Sequence, residues 1–143
     1  MEEDRLTYTR ILDSFDIKEA DIKTVSPLTF AFIGDCVYDL IIRSMVIGKG
    51  NTSSKSLHTK TTKLVKAESQ KEAFLRIEGL LTEEEMDVFK RGRNAKVHTS
   101  AKNASKADYH VATGFEALMG YLYMSGRHER MLELVKTGIE SDS

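Results

Sequence analysis

Tryptophan is absent from this sequence of 143 residues, and cysteine and proline occur once each. A single thiol excludes an intrachain disulfide framework. Cys36 lies in an apolar run, so it is expected as a small buried hydrophobe rather than a nucleophile. One proline and nine glycines leave little of the chain to loops or linkers. The acidic start Met1-Glu2-Glu3-Asp4 has no apolar core, which predicts no secretory signal, and with one thiol this points to the cytoplasm. The longest apolar stretch, residues 28–47, is interrupted by Asp35, Asp39 and Arg43, which argues against a membrane span. Repeats, low-complexity tracts and strand-like alternation are also missing. A formal net charge of −1 gives no global attraction to nucleic acid.

What is there reads as an ordinary globular protein, 41% hydrophobic and 30% charged. The length fits one domain over residues 1–143, large enough to bury a core without staples. The apolar spacing is helical almost throughout. Residues 6–15 predict a short amphipathic helix and 16–26 a polar connection, so 1–25 form an N-terminal helix and linker. Ser26-Pro27 is a start signal, with serine as cap and proline at the first helical position. The helix that follows is expected to reach about Ile47 and stop at Gly48-Lys49-Gly50. It is apolar nearly all round, which predicts the central helix. Residues 51–54 can cap a helix carrying Leu57, Leu64 and Val65 inward, and 67–77 continue or restart it. Thr82 with Glu85 three residues on is a capping box for a helix to about Arg93. Residues 94–107 read as a polar, basic loop. Asp108 is the expected cap of a second mostly apolar helix over 109–124. A last amphipathic helix turns Met131, Leu132, Leu134, Val135 and Ile139 inward. The fold class is all-α, a bundle of six to seven helices.

Two acids are out of place. Asp35 and Glu116 each sit in the middle of one of the two most apolar helices. An ionised carboxylate buried alone costs several kcal/mol, so such a group is paired, protonated or metal-bound. Gly34 precedes Asp35, and Gly114 and Gly120 bracket Glu116. Glycine within a helix costs about 1 kcal/mol relative to alanine, and close approach of a second helix is a reason to accept that cost. A crossing at Gly34 and Gly120 would bring the carboxylates into one pocket, and two oxygen ligands are a common protein contribution to a Mg²⁺ site. A buried ion pair or a hydrogen-bonded structural acid fits the same residues. Asp39 is a further oxygen donor on the same helix face, but its favoured partner is Arg43, four residues on.

The charge is unevenly distributed. Residues 1–21 carry seven acids against three bases, whereas residues 90–106 carry Lys90, Arg91, Arg93, Lys96, Lys102 and Lys106 with no acid. Cations favour any helix C-terminus. That does not account for their continuation past His98 among serine, threonine and asparagine. Guanidiniums, amides and hydroxyls together suit phosphate and sugar recognition. Lys55, Lys60, Lys63 and Lys66 form a weaker second group, read as a solvated helix surface.

Phe32-Ile33-Gly34-Asp35-Cys36-Val37-Tyr38 resembles the first half of the ribonuclease III signature, and Phe115-Glu116-Ala117-Leu118-Met119-Gly120 resembles that family's second acidic motif. Together with Arg91-Gly92-Arg93-Asn94-Ala95-Lys96, and with Tyr109 leading into the second motif, they resemble the Mini-ribonuclease III subgroup over about residues 26–134. The resemblance implies the ribonuclease III endonuclease-domain helical bundle, acting as a homodimer on double-stranded RNA with Mg²⁺. Carried over by position, Asp35 and Glu116 match the catalytic, metal-binding acids, and Phe32 matches an aromatic that packs across the dimer interface. The full-length family has acids where this chain has Leu28, Ala31 and Thr113, and the Mini subgroup shares the thinner set. The sequence ends near Ser143 without a separate double-stranded-RNA-binding domain. RNA contact is therefore expected from the catalytic dimer, through Arg91, Arg93, Asn94, Lys96 and Lys102. The resemblance also implies maturation of a large-subunit (23S) ribosomal RNA precursor. The rival reading is a non-catalytic RNA-binding or ribosome-associated module of the same fold. A third reading, a helical metal phosphohydrolase for small phosphorylated molecules, is disfavoured because this sequence lacks the clustered histidines such sites often use.

Overall fold

The structure is a computed structural model describing residues 5–95 and 105–139. Seven α-helices and no strand occur among these residues. They are α1 (Tyr8–Ser14), α2 (Pro27–Lys49), α3 (Ser54–Val65), α4 (Ala67–Ile77), α5 (Glu83–Asn94), α6 (Lys106–Met124) and α7 (His128–Ile139), with 3-10 turns at Ile22–Thr24 and Glu78–Leu80. The all-α expectation holds. None of these helices is long and apolar enough to cross a membrane.

Local chemistry sets most of the boundaries. The Ser26 hydroxyl accepts the Thr29 N–H at 3.2 Å and Pro27 opens α2, satisfying one of the orphan donors of its first turn. Ser53 caps α3 in the same way. Lys66 is extended, so residues 54–77 form two helices rather than one. Both halves of the Thr82–Glu85 capping box are made. The start of α6 departs from expectation. Ser105 is its cap, accepting from the Asp108 N–H at 3.0 Å, and Asp108 lies in the first turn, paired with Lys71 of α4 at 2.9 Å. An acid is favourable both as a cap and in a first turn, so sequence did not distinguish the two registers.

The central helix is α6, not α2. Ten of its nineteen residues are buried, and it packs against α2, α4, α5 and α7. Phe30, Val37, Tyr38, Ile42 and Val46 turn one side of α2 to the core, while Leu28, Phe32, Cys36 and Leu40 are exposed on it. Cys36 is therefore not the buried hydrophobe its neighbours suggested. An apolar helix that faces solvent on one side has the same composition as one buried all round. Leu132 is likewise exposed, whereas Met131, Leu134 and Val135 of α7 are buried. Ring contacts fill the core: Phe74 stacks on Phe89 at 3.7 Å, and Phe115 meets Tyr38 edge-on at 5.1 Å.

One polar cluster ties α5 to α7. Glu85 is 2% exposed and accepts two hydrogen bonds from Arg130, at 2.8 and 2.9 Å. Arg130 also donates to the Leu80 carbonyl at 2.7 Å. The hydrogen bonds from Arg130 hold the Glu85 carboxyl below its usual range against the opposing effect of burial. The pair's stabilisation is thus present above the ordinary carboxylate range and is lost as pH falls through the lowered value. Arg130→Ala strands a buried carboxylate and is expected to cost about 3–5 kcal/mol in urea unfolding. A loss under about 1 kcal/mol would mean the pair behaves as a surface ion pair.

Candidate active site

The site is built where α2 crosses α6. A β-carbon on Gly34 would lie 1.8 Å from the Glu116 carbonyl oxygen, and one on Gly120 would lie 1.9 Å from that of Phe30. The helices meet backbone to backbone, at the two glycines expected to mark the crossing. Gly114 serves another contact, packing against Phe89 of α5. Because Asp35 follows Gly34 and Glu116 lies one turn before Gly120, the crossing brings two carboxyls from distant parts of the chain face to face.

Asp35 is exposed and Glu116 is half-buried. The Glu116 carboxyl is pushed up to about 8, first by burial and then by hydrogen bonding and charge repulsion from Asp35. Gln70 opposes the shift. Its Nε2 donates to Glu116 Oε2 at 3.2 Å and to the Val65 carbonyl at 2.8 Å. No cationic side chain neutralises the pair among the described residues, so the buried ion-pair alternative is not realised there. The site opens to solvent on the Asp35 side. The arrangement concentrates hard oxygen donors without a matching positive charge, which suits a divalent cation.

The rest of the acid set is thin. Asp39, one turn beyond Asp35, is paired with Arg43 at 2.8 Å, the partner favoured from sequence. The Thr113 hydroxyl donates to the Tyr109 carbonyl at 2.9 Å, within α6. No group of three or more histidine, cysteine, aspartate or glutamate residues suited to a metal occurs among the described residues.

Of the residues expected to contact RNA, Arg91, Arg93 and Asn94 occupy the last turn of α5. Arg91 is exposed. Arg93 lies over the Phe89 ring at 5.6 Å and donates to Asn94 Oδ1 at 3.1 Å. No hydrogen bond or ion pair joins these three to either acid among the described residues. Lys96 and Lys102 lie outside the described residues. Phe32 is 79% exposed on α2, aligned with Leu28, Cys36 and Leu40 at four-residue spacing.

Gln70 was not singled out by sequence. A signal for it exists: it precedes Ala73, Phe74 and Ile77 at helical spacing, which places an amide on the buried stripe of α4.

The ribonuclease III domain family matches residues 28–127, a span containing both acids and the α5 basic turn. A Mini-ribonuclease 3 of Clostridium tetani is 48% identical over 122 residues, covering 85% of this chain and 81% of that protein. One of Thermoanaerobacter sp. is 44% identical over 119 residues, covering 83% of this chain and 84% of the relative. A crystal structure of a protein from Fusobacterium nucleatum superposes with a TM-score of 0.79 at 26% identity, covering 87% of this chain and all of that one. Matched by the ribonuclease III domain over residues 28–127 and 44–48% identical to these relatives over more than four fifths of its length, this chain belongs to the Mini-ribonuclease 3 family.

Proposed function

We propose that this protein is a cytoplasmic, Mg²⁺-dependent endoribonuclease that cleaves double-stranded RNA as a homodimer, in maturation of the large-subunit (23S) ribosomal RNA precursor. The observation that carries the catalytic part is the juxtaposition of Asp35 and Glu116, with Glu116 pushed up to about 8 by burial and by its neighbour. A structural acid pair gains nothing from that repulsion, whereas a divalent cation between the carboxyls would relieve it.

The residues present fit such an ion. Both carboxyls offer hard oxygens, and the buried Oε1 of Gln70, whose amide nitrogen holds Glu116, has no hydrogen-bond partner among the described residues. A bound Mg²⁺ would supply Lewis-acid polarisation of water and of a phosphate oxygen. The chain's own contribution is positional. The crossing fixes Asp35 and Glu116 on two packed helices, so they need no rearrangement when substrate arrives. Arg91, Arg93 and Asn94, with Lys96 and Lys102, are the proposed phosphate and sugar contacts. An A-form duplex is read mostly through its phosphates and 2′-hydroxyls, so little base specificity follows.

The homodimer rests on α2. Leu28, Phe32 and Leu40 recur on one exposed side of the helix, and an apolar patch of that kind marks an interaction surface. A second copy would place two acid pairs across one duplex, one for each strand.

The test is a Mg²⁺ titration with an end-labelled RNA duplex and its single strands. Cleavage of the duplex that requires Mg²⁺ and spares single strands is expected. A complex with duplex that stays uncut at every Mg²⁺ concentration would favour the non-catalytic binder. Arg91→Ala or Arg93→Ala is expected to weaken duplex binding and to flatten the log K against log salt slope by about one per lost phosphate contact. An unchanged slope would remove these residues from the RNA interface.

A further inference from the structure

Gln70 lies in the first turn of α4, is 2% exposed, and sits at the junction where α3 ends and α4 begins. Its amide nitrogen makes two hydrogen bonds. One, at 2.8 Å, goes to the Val65 carbonyl, a C-terminal carbonyl of α3 that lacks an onward helical partner. The other, at 3.2 Å, goes to Glu116 Oε2. The Val65 bond fixes which end of the amide is nitrogen, since a carbonyl can accept only from the N–H end. The nitrogen must therefore face Glu116, and the amide oxygen is left buried with no partner among the described residues. Buried polar atoms are nearly always hydrogen-bonded, so an orphaned acceptor on the amide that holds Glu116 calls for a donor that none of the described residues provides.

We propose that Gln70 is a positioning residue for the divalent cation: its Nε2 holds one oxygen of Glu116, so that the other is presented towards Asp35, and its Oε1 accepts a hydrogen bond from water carried by the hydrated ion. Mg²⁺ keeps several of its waters in protein sites, so a free acceptor on the amide that holds Glu116 is chemically matched to it. The role extends the catalytic reading of Asp35 and Glu116 and rests on it. Gln70 touches neither the ion nor the RNA. It acts through Glu116 and through water, and partners of this kind affect metal affinity by about 10–100-fold.

The test reads metal binding without RNA or turnover. Mn²⁺ is titrated calorimetrically into the full chain, into Glu116→Gln and into Gln70→Met, a variant of similar length that removes the amide. Gln70→Met is expected to weaken Mn²⁺ binding by about 10–100-fold and to lower kcat for duplex cleavage with KM for RNA unchanged. Gln70→Asn keeps an amide but falls one methylene short. It serves if the methionine variant does not fold, and the same loss of Mn²⁺ affinity is expected of it. If Glu116→Gln abolishes Mn²⁺ binding while a folded Gln70 variant binds Mn²⁺ like the parent, the role assigned to Gln70 is wrong and the acid pair stands. If Glu116→Gln itself binds Mn²⁺ undiminished, the catalytic reading fails first.

Discussion

Asp35→Asn and Glu116→Gln are each expected to abolish cleavage of duplex RNA, by about a thousandfold or more, while leaving the fold and RNA binding in place. The magnitude follows from losing an ionised ligand of a cation that stabilises charge on a phosphate by several kcal/mol, each 1.36 kcal/mol being tenfold in rate. The fold persists because both changes are isosteric, and because the amide oxygen introduced by Glu116→Gln can still accept from Gln70. Binding persists because the proposed phosphate contacts lie on α5. Single-turnover cleavage and gel-shift measurements on the same preparations separate the effects, and full cleavage by either variant would overturn the assignment.

The same substitution has a thermodynamic signature of opposite sign. Burial and Asp35 raise Glu116 from 4.5 to about 8, so the folded, metal-free protein holds a proton that the unfolded chain releases. That contribution to stability is fully present below about 4.5 and is lost as pH rises through about 8. Glu116→Gln is therefore expected to raise the metal-free Tm at alkaline pH and to flatten its fall between those limits. Cation binding needs the deprotonated acid, so Mg²⁺ affinity should climb with pH over the same window. A parent Tm that is level from pH 4.5 to 8 would show that Glu116 is not held protonated.

Gly34→Ala and Gly120→Ala carry the largest expected effect on folding. Helix propensity alone predicts a gain of about 1 kcal/mol for each. The crossing reverses the sign, because the added β-carbons would lie 1.8 and 1.9 Å from backbone oxygens of the facing helix. Backbone cannot swing aside as a side chain can, so α2 and α6 must separate, opening the core around Phe115 and Tyr38 and parting the acids. A loss above about 4 kcal/mol is expected, at the extreme of single substitutions. Gly48→Ala is the control. It is in α2 but a β-carbon there meets nothing within 4 Å among the described residues, so it should be neutral or slightly stabilising. If Gly34→Ala behaves like Gly48→Ala in urea unfolding, the backbone contact is not as close as described.

What sequence revealed and what it hid follow from the range of each interaction. Caps at Ser26 and Thr82 act within a turn and were legible. The crossing was legible because glycine in a helix is costly enough to need a cause, and Gly34 and Gly120 flank the two displaced acids. The centrality of α6 was not. Leu28, Cys36 and Leu40 read as core when nothing in the sequence says which side of α2 meets another helix. Gln70 and the Glu85–Arg130 pair were missed for a related reason. Their partners lie 46 and 45 residues away, and polar residues on a helix ordinarily face solvent. Each sits at helical spacing from buried apolar residues, but that signal separates a buried amide from a surface one only after the packing is known.

The most direct measurement of the central claim is a crystal structure of the protein grown with Mn²⁺, with anomalous scattering used to locate the ion. An anomalous peak about 2 Å from an oxygen of both Asp35 and Glu116 is expected. Density elsewhere, or a pair of carboxyls left sharing a proton at saturating Mn²⁺, would contradict it.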